Sequence, residues 1–379
     1  MNEIWTRRAE QRIANIADLG RRRVPRVFEP VGQVGSLEGC TQPVCAFASN
    51  DYLGLSHHPA VVSAASEAAE RMGVGAGASR LVTGSRLVHK ELEEEVASWK
   101  GTERSVLFPT GYQANIGLLG SLGEDDVLIC SDELNHASII DGCRLSRARV
   151  EVYRHLDIEH LDSILSGWRG MAMIVSDLVF SMDGDTAPVA ELAALCRRYD
   201  ALLVLDEAHH VIGPDPGSLL EGVTVLRVGT LSKTLGAQGG VVAGPSLFIQ
   251  LLENVARSYI FSTALSPVVA SAALAAIRVY RSPEGDRLRS ALVHNVNELG
   301  GDSQIIPVVI GSEEDAVRVS SELLAMGMWV PAIRPPTVPV GTSRLRVSLS
   351  ADHSIDQVRA LRNALDRLGL WDYSGLSCK

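Results

Sequence analysis

Several features that define other protein classes are missing from this 379-residue chain. Its six cysteines form no C-x-x-C pair, which argues against a disulfide framework or a structural zinc site and predicts free thiols. No apolar run approaches the roughly 18 to 20 residues that a membrane-spanning helix needs. The first twenty residues mix acidic side chains with arginines and lack an apolar segment, so no secretory signal is predicted. These absences predict a soluble, cytoplasmic protein.

An excess of positive charge is also missing. The chain has 35 Lys and Arg residues against 45 Asp and Glu residues, and its formal net charge of -10 disfavours a nucleic-acid-binding surface. A local basic cluster at Arg21, Arg22, Arg23 and Arg26 could receive an anion. Without an anionic substrate, the cluster is the solvated end of a helix. The length predicts two or three structural units.

Apolar β-branched runs alternate with helical segments in the middle of the chain. Alternating strands and helices predict a mostly parallel sheet with helices on both faces, which is an α/β fold. An Ala-rich helix begun by Pro59 should precede this region. The predicted strands lie near residues 105–108, 126–130, 150–153, 172–176, 201–206 and 224–228.

Three regions follow from this pattern. Residues 1–45 contain an amphipathic helix and an irregular Gly- and Pro-bearing stretch, and are predicted to form an N-terminal arm. Residues 46–283 carry the α/β pattern and form the predicted large domain. Residues 284–379 contain short apolar strands and two helices, which predict a small α+β domain.

One lysine lies between two predicted buried strands. The run Val223–Val228 leads through Gly-Thr-Leu-Ser-Lys233-Thr-Leu-Gly to a second apolar run, Val241–Ala243. A lysine held in this way can act as a nucleophile that forms a Schiff base. The alternative is a loop lysine whose ammonium group reaches water. Partner residues elsewhere in the chain are needed to distinguish a Schiff-base lysine from a solvated one.

Polar residues follow other predicted strands, at the points where the strands end. Ligands of open α/β sheets bind beyond the carboxyl ends of the strands, so these residues are candidates for one site. Asp206 could cap a helix or keep a heteroaromatic ring nitrogen protonated. Gly111 and Tyr112 begin a helix whose N–H groups could bind phosphate. His136 offers a flat ring for stacking, unless it is simply solvated, and Ser181 offers a hydroxyl group.

With Lys233, these residues match the needs of pyridoxal 5′-phosphate: an amine, an acid for the pyridine nitrogen, a helix N-terminus for phosphate and a stacking ring. The string Asp206-Glu207-Ala208-His209 is also the DEAH box of helicase-type ATPases. That class needs a G-x-x-x-x-G-K-[ST] phosphate loop, and none lies upstream. The nucleotide interpretation is therefore disfavoured.

Two further alternatives use parts of the same pattern. A metal hydrolase could use Asp206, His136, His209 and His210, but adjacent histidines point apart on a strand or helix. The glycines of residues 73–84 resemble a dinucleotide fingerprint, yet they follow a predicted helix rather than a strand, which argues against it. A non-catalytic binding protein would leave a buried lysine without a purpose.

The chain resembles the α-oxoamine synthases, fold-type I pyridoxal-phosphate transferases that condense an amino acid with an acyl thioester. The resemblance covers nearly the whole chain, and its motifs are together highly specific. They are SNDYLGLS (49–56), GASRLVTG (77–84), TGYQAN (110–115), LNHASIIDG (134–142), FSMDGD (180–185), DEAH (206–209), GTLSKTLG (229–236) and RPPTVPVGTSRLR (334–346).

The resemblance implies roles for the matching residues. Lys233 would form the Schiff base and later act as the base that removes the Cα proton of the amino acid. Asp206 would pair with the pyridinium nitrogen, His209 would bond the ring hydroxyl, and His136 would stack on the ring and contact substrate. The remaining implied residues are Gly111, Tyr112, Ser181 and Thr230 around phosphate and ring, Ser262 or Thr263 from a partner subunit, Asn50, Arg334, Thr337 and Arg346 at the amino acid, and Arg21 at the acyl chain.

The resemblance also implies substrates and assembly. It points to L-alanine and to a pimeloyl group carried by CoA or by a carrier protein, with glycine or serine as alternative amino acids. A homodimer with its active site at the subunit interface is implied too. One departure concerns the segment after the DEAH string, which reads His210-Val211-Ile212-Gly213-Pro214-Asp215-Pro216-Gly217 and is shorter than the Gly-rich stretch usual in the family.

Overall fold

The computed structural model describes residues 3–370, which form two compact units. Residues 50–293 make up one unit, and the described residues before 50 and after 293 make up the other. The boundaries therefore differ from the 45/46 and 283/284 positions predicted from the sequence. The N-terminal region belongs with the C-terminal region because strand Val44–Ala46 pairs with Met328–Trp329. Pro283 begins a helix that runs to Leu299, so the predicted boundary at 283/284 falls within the first turn of that helix.

Helices and strands are labelled in chain order. The α-helices are α1 (Glu3–Asp18), α2 (Pro59–Met72), α3 (Leu87–Lys100), α4 (Gly111–Leu122), α5 (Ala137–Leu145), α6 (Ile158–Ser166), α7 (Val189–Tyr199), α8 (Ser246–Val255), α9 (Arg257–Ile260), α10 (Pro267–Tyr280), α11 (Pro283–Leu299), α12 (Glu313–Ala325) and α13 (Ile355–Arg367). The strands are β1 (Phe28–Val31), β2 (Val34–Leu37), β3 (Val44–Ala46), β4 (Arg104–Phe108), β5 (Val127–Asp132), β6 (Arg149–Tyr153), β7 (Met171–Asp177), β8 (Leu202–Asp206), β9 (Val225–Thr230), β10 (Gly240–Gly244), β11 (Ile305–Gly311), β12 (Met328–Trp329), β13 (Ala332–Ile333) and β14 (Ser343–Ser348).

Local sequence explains where several helices begin. The predicted Ala-rich helix at 59–72 is confirmed as α2, and Pro59 occupies its first turn, where a missing N–H costs nothing. The hydroxyl of Thr110 accepts the N–H of Gln113 and caps α4. Ser354 and Gln357 form a capping box at α13.

A seven-stranded sheet, in the order β4-β10-β9-β8-β7-β5-β6, forms the centre of the unit 50–293. The strands β9, β8, β7, β5 and β6 are parallel, which confirms the predicted mostly parallel sheet. Strand β10 is antiparallel to β9 and β4. The loop 231–239 that joins β9 to β10 is shorter than the dozen or more residues that a parallel crossover needs.

Both faces of this sheet are buried. On β8, Leu203 and Leu205 belong to one apolar cluster and Val204 belongs to another. Successive side chains of a strand point to opposite faces, so the two clusters cover the two sides of the sheet. Helices on both faces of a parallel sheet produce this arrangement.

The other unit contains two smaller sheets. Strands β1, β2, β3 and β12 form one sheet, and β11, β14 and β13 form the other. Helix α1 has no buried residues. Among residues 3–370, the helices are too short or too polar to cross a bilayer.

Candidate active site

A cavity of about 200 Å³ lies where the carboxyl ends of β7, β8 and β9 meet the start of α4. It collects seven residues that the sequence assigned to cofactor binding: Gly111, Tyr112, His136, Asp206, His209, Thr230 and Lys233. Seven further residues complete the lining: Thr110, Asn115, Ser138, Asp177, Ala208, Gly229 and Ser232.

Other predicted site residues lie outside this lining. Ser181 follows β7 in a turn of the same unit, and its assigned role at the phosphate or ring stays a prediction. Asn50 also lies outside the lining, and Tyr52 donates its hydroxyl proton to the Asn50 side chain at 3.0 Å. Arg21, Arg334, Thr337 and Arg346 belong to the other unit, where the Arg21 guanidinium donates two hydrogen bonds to the carboxylate of Glu313.

Lys233 lies in the loop 231–239 between β9 and β10. Its Nζ is 2.8 Å from Nε2 of His209. The loop packs tightly at Gly236, which has φ 59° and where a Cβ atom would come within 2.3 Å of the backbone nitrogen of Ser56. Only glycine fits that conformation and that space, so the sequence after Lys233 fixes the path of the loop.

Asp206 ends β8 with its side chain buried in the cavity wall. Its Oδ1 accepts the backbone N–H of Ala208 at 2.9 Å, and its Oδ2 accepts from the amide nitrogen of Asn115 at 2.7 Å. Hydrogen bonds of this kind fix the orientation of the carboxylate. The carboxylate is therefore held ready for a cationic partner.

Asn115 provides a further binding atom. Its amide nitrogen donates to Asp206 and, at 2.9 Å, to the Ser138 hydroxyl oxygen, while its Oδ1 is buried without a hydrogen-bond partner. An unpaired buried carbonyl oxygen costs about 1–3 kcal/mol, so a group that donates to it on binding is favoured. A polar ligand in this cavity fits these residues.

A second carboxylate, Asp177, lies beside Asp206 at the end of the neighbouring strand. Its Oδ2 accepts the backbone N–H of His136 at 3.1 Å. Burial and the negative charge of Asp206 raise the pKa of Asp177 well above its ordinary value, although Lys233 opposes this shift. The cavity therefore favours one ionised carboxylate over two.

His136 is a neutral ring at the entrance of α5. Burial and the charge of Lys233 lower the pKa of His136, and they outweigh Asp206, which raises it. The pKa of His136 is therefore below its ordinary value. Its Nδ1 is 2.7 Å from the Ser138 hydroxyl oxygen. The backbone N–H of Ser138 donates to Nδ1 at 3.2 Å, so Nδ1 is an acceptor and the imidazole proton lies on Nε2. The ring makes an edge contact with Tyr112 at a centroid distance of 6.4 Å.

The start of α4 suits a phosphate group. Gly111 and Tyr112 line the cavity and lie in the first turn of the helix, where N–H groups have no acceptor within the helix. Such N–H groups and the helix dipole favour an anion. The Thr230 hydroxyl donates to the Gly239 carbonyl oxygen at 2.9 Å and lies 2.7 Å from the Ser232 hydroxyl on the same lining.

The segment 210–217 after the DEAH string is held by ion pairs with Arg227. Arg227 donates to Glu207 at 2.5 Å and to Asp215 at 2.6 Å, and Lys100 donates to Glu207 at 2.7 Å. Burial would raise the pKa of Glu207, but the cations Lys100 and Arg227 outweigh it and lower that pKa. The segment is thus fixed to β9 through Arg227.

His155 connects two loops through hydrogen bonds to Asp132 and Asp185. Its ring nitrogens lie 2.9 Å from Asp132, at the end of β5, and 2.8 Å from Asp185, in the FSMDGD turn. Partial burial opposes protonation, but the hydrogen bonds and charges of both aspartates outweigh it and raise the pKa of His155 to about 10. At neutral pH, an imidazolium therefore joins the segment before His136 to the turn that carries Ser181.

His155 is expected to stabilise the fold below its folded-state pKa. The folded-state pKa of about 10 exceeds the ordinary value of 6.5, so the stabilisation is full below about pH 6.5 and is lost as the pH rises through about 10. Because hydrogen bonds to charged groups are worth roughly 1.5–3 kcal/mol, His155→Gln should lower the free energy of unfolding by about 2 kcal/mol near neutral pH. Urea titrations across this range measure the difference. Exposed His57→Gln is the control, and a pH-independent loss for His155→Gln would contradict this account.

The histidines considered for a metal hydrolase make hydrogen bonds to other side chains. Nδ1 of His209 lies 2.7 Å from the Tyr52 hydroxyl, and Nδ1 of His136 faces Ser138. Within residues 3–370, His, Cys, Asp and Glu side chains form no group of three or more arranged to hold a metal ion. Five cysteines are free thiols, as predicted, and Cys378 lies outside the described residues.

Five polar residues of the lining, Thr110, Asn115, Ser138, Asp177 and Ser232, were not among the predicted site residues. Asp177 ends β7 and directly follows the predicted strand 172–176, so the rule that singled out Asp206 also applied to it. Asn115 lies one helical turn after Gly111, on the same side of α4. Ser138 lies in the first turn of α5, two residues after His136. Asn115 and Ser138 lie within the TGYQAN and LNHASIIDG motifs, but only helix geometry places them in the lining.

Comparison with known proteins agrees with this geometry. The aminotransferase class I and II family matches residues 42–365. An 8-amino-7-oxononanoate synthase of Anaeromyxobacter dehalogenans is 44% identical over 377 residues, covering 93% of this chain and 94% of that protein. The enzyme of the same name from Geobacter sulfurreducens is 45% identical over 348 residues, covering 86% of this chain and 89% of that protein.

A solved structure supports the same assignment. Serine palmitoyltransferase from S. paucimobilis, with a bound PLP–myriocin aldimine, is similar with a TM-score of 0.88 and 28% identity, over 96% of this chain and 98% of that chain. This likeness confirms the predicted fold-type I transferase fold and pyridoxal phosphate as the cofactor. The chain therefore belongs to the aminotransferase class I and II family and, within it, to the α-oxoamine synthases, the group that includes 8-amino-7-oxononanoate synthase.

Proposed function

We propose that this enzyme condenses L-alanine with a pimeloyl thioester, releasing CO2 and free thiol and forming 8-amino-7-oxononanoate for biotin synthesis. The observation that carries the proposal is one cavity in which Lys233, His209, Asp206 and His136 converge. Near-full-length relatives at 44% identity that bear the name 8-amino-7-oxononanoate synthase support the choice of reaction. The thioester is carried by CoA or by a carrier protein.

Each residue of the cavity has a chemical task in this proposal. Pyridoxal phosphate, when bound, supplies an aldehyde and an electron-withdrawing ring that stabilises negative charge at the Cα of the amino acid. Asp206 keeps a proton on the ring nitrogen, and the hydrogen bonds from Asn115 and Ala208 hold its carboxylate in place. The neutral ring of His136 provides a flat stacking surface.

Lys233 acts as the amine and then as the base. Once the amino acid has taken its place at the cofactor, Nζ of Lys233 accepts the proton from Cα. His209 lies 2.8 Å from Nζ and is therefore able to orient the amine. Gly111, Tyr112 and Thr230 bind the phosphate through N–H and hydroxyl groups.

The structural neighbours raise serine palmitoyltransferase activity as a second candidate. Their TM-score of 0.88 comes with only 28% identity, whereas the 8-amino-7-oxononanoate synthases reach 44%. A shared backbone fold does not distinguish amino-acid or acyl substrates, because those are selected by side chains. The higher identity therefore favours alanine and a pimeloyl group.

The amino-acid carboxylate is proposed to bind Arg346. Arg346 lies on β14 with only 5% of its surface exposed, and its Nη1 donates to the Ser348 hydroxyl at 2.6 Å. Ser348 thus orients a guanidinium group, whose fork matches a carboxylate. Arg334, Thr337 and Asn50 are further proposed contacts of the amino acid, and Arg21 is the proposed contact of the acyl chain or its carrier.

Replacing Arg346 with alanine is expected to weaken alanine binding by roughly 2–5 kcal/mol, because a buried carboxylate loses its charged partner. Alanine titrations of the cofactor-loaded variant, followed by absorbance, measure the dissociation constant. Arg318→Ala, on the exposed face of α12, is the control. An unchanged dissociation constant for alanine in the Arg346 variant would remove this residue from the site.

We also propose a homodimer in which Ser262 or Thr263 reaches the site of the other protomer. Phe261, directly before them, has 71% of its surface exposed, which favours burial against another protein surface. Ser262 accepts a hydrogen bond from Gln113 at 2.9 Å, which fixes the position of this segment.

Product analysis tests the proposed reaction. The purified enzyme, loaded with pyridoxal phosphate, is incubated with pimeloyl-CoA and with alanine, glycine or serine in parallel, and products are identified by mass spectrometry. The proposal expects 8-amino-7-oxononanoate and CO2 with alanine, and much less product with the other two. Preferred use of serine with a palmitoyl thioester would replace the proposal with the second candidate.

A further inference from the structure

A buried side chain continues the pairing of two strands of the central sheet. Strand β5 pairs with β7 as far as Ser131 and Val175. Strand β7 then runs two residues further, to Asp177. The side chain that bonds to this last part of β7 belongs to Asn135, which lies in the loop between β5 and α5 and has only 4% of its surface exposed.

The carboxamide of Asn135 makes the two hydrogen bonds that a main-chain peptide of β5 would make at this point. Its Nδ2 donates to the Val175 carbonyl oxygen at 2.8 Å, and its Oδ1 accepts the backbone N–H of Asp177 at 2.8 Å. A residue in a parallel ladder bonds in the same way, to the residues before and after the one opposite it. Because both partners are backbone groups with fixed donor and acceptor roles, the orientation of the amide is fixed as well.

Asp177 returns the contact to the next residue of the loop. Its Oδ2 accepts the backbone N–H of His136 at 3.1 Å. The loop and the end of β7 are thus joined twice, by one side chain from each, much as a capping box joins the two ends of a helical turn. The ring of His136 is fixed relative to α5, because its Nδ1 accepts the N–H of Ser138 at 3.2 Å. The bonds of Asn135 and Asp177 fix the start of α5 relative to the sheet.

We propose that Asn135 is a positioning residue that holds the ring of His136 where it can stack on the cofactor. The inference rests on the proposed function for the stacking role of His136. Asn135 does not line the cavity, so it acts on the cofactor through its neighbours. Its burial makes the effect strong, since loss of the amide would leave backbone groups of Val175 and Asp177 unpaired in a place that water does not reach.

A double-mutant cycle on cofactor binding tests this inference. Titration of the purified chain with pyridoxal phosphate gives the dissociation constant for wild type, Asn135→Ala, His136→Ala and the double variant. Each single substitution is expected to raise that constant roughly tenfold, the size of one aromatic contact or one hydrogen bond. If Asn135 acts through His136, the double variant should bind the cofactor no more weakly than His136→Ala. Losses that multiply in the double variant would overturn the inference.

Asn295 provides the matched control for a general loss of stability. It is 3% exposed, and its Nδ2 donates to the backbone carbonyl oxygens of Ser350 at 3.0 Å and His353 at 2.9 Å. Asn295→Ala therefore removes a buried amide of the same kind from the other unit. We expect it to lower the urea midpoint, as Asn135→Ala does, and to leave the cofactor dissociation constant unchanged. Equal weakening of cofactor binding in both variants would reduce Asn135 to a residue of general stability and contradict the inference.

Circular dichroism of the bound cofactor reads the position of the ring. Pyridoxal phosphate has no stereocentre, so its visible signal arises from the protein groups around it. At saturating cofactor, Asn135→Ala is expected to shift this signal toward that of His136→Ala, while Asn295→Ala keeps the wild-type signal. A wild-type signal in Asn135→Ala would contradict the inference.

A second substitution at position 135 guards against a variant that fails to fold. Should Asn135→Ala not fold, Asn135→Ser takes its place in every measurement, because a single hydroxyl cannot replace both bonds of the amide. A chain that folds with neither alanine nor serine at this position would show that Asn135 acts on the fold as a whole, and the inference would be rejected.

These measurements separate the inference from the proposed reaction, because they use neither an amino acid nor an acyl thioester. If 8-amino-7-oxononanoate forms while the two losses multiply, only the inference fails. If the losses do not multiply but no condensation product forms, only the proposed reaction fails. If His136→Ala binds the cofactor as tightly as wild type, the stacking role of His136 and the inference fail together.

Discussion

Lys233→Ala is expected to abolish condensation and to remove the absorbance that arises from the covalent link between lysine and cofactor. The variant loses both the amine that joins the cofactor and the base that takes the Cα proton. A positioned general base alone contributes roughly 10²–10⁴-fold, so the loss of turnover should be at least of that size. Steady-state assays with alanine and pimeloyl-CoA, together with absorbance spectra, measure both effects.

The small number of lysines makes the control for this variant clear. The chain has four: Lys90, Lys100, Lys233 and Lys379. Lys90 is exposed and pairs only loosely with Glu94, at 3.7 Å, so Lys90→Ala should behave as wild type. Wild-type turnover in the Lys233 variant would reject the assignment of this residue.

Asp206→Asn is expected to cause the second largest loss. The substitution preserves size and the ability to accept hydrogen bonds, but it removes the negative charge that keeps the ring nitrogen of the cofactor protonated. Removing one partner of a buried ion pair costs about 3–5 kcal/mol, which corresponds to a decrease in turnover of roughly 10²- to 10⁴-fold. Cofactor binding should weaken as well, and both quantities can be followed in the same preparation.

The control for Asp206 must change charge without touching the cavity. Asp126 is exposed in the loop before β5, at the opposite ends of the strands, and Asp126→Asn makes the same chemical change there. Turnover near wild type for Asp126→Asn and a strong loss for Asp206→Asn is the expected pattern. Similar, modest losses in both would show that Asp206 has no specific partner in the cofactor.

The sequence was informative wherever short-range rules apply. Asp206 and His136 were assigned to one site because parallel strands bring the residues after them to one edge of the sheet, and Lys233 because it lies between two apolar runs; all three line the cavity. The helix at Pro59 was found because proline fits only the first turn of a helix. These conclusions need only neighbouring residues and one general property of α/β sheets.

Long-range pairings could not be read from local patterns. Strand β3 pairs with β12, so the N-terminal region joins the C-terminal unit, yet nothing in either sequence names the other as partner. The same holds for Arg21, whose guanidinium binds Glu313 far along the chain. Asn115 and Asp206 are 91 positions apart and meet only after the sheet has formed. Contacts of this kind depend on the three-dimensional fold.

Borohydride trapping provides the most direct measurement of the central claim, which is that the cofactor is joined to the lysine at position 233. The purified enzyme is reduced with sodium borohydride, digested, and searched for a pyridoxyl group by mass spectrometry. The account predicts that the group is on Lys233 and that the peptides bearing Lys90, Lys100 and Lys379 are unmodified. A pyridoxyl group on another lysine, or no modification in a fully folded protein supplied with pyridoxal phosphate, would contradict it.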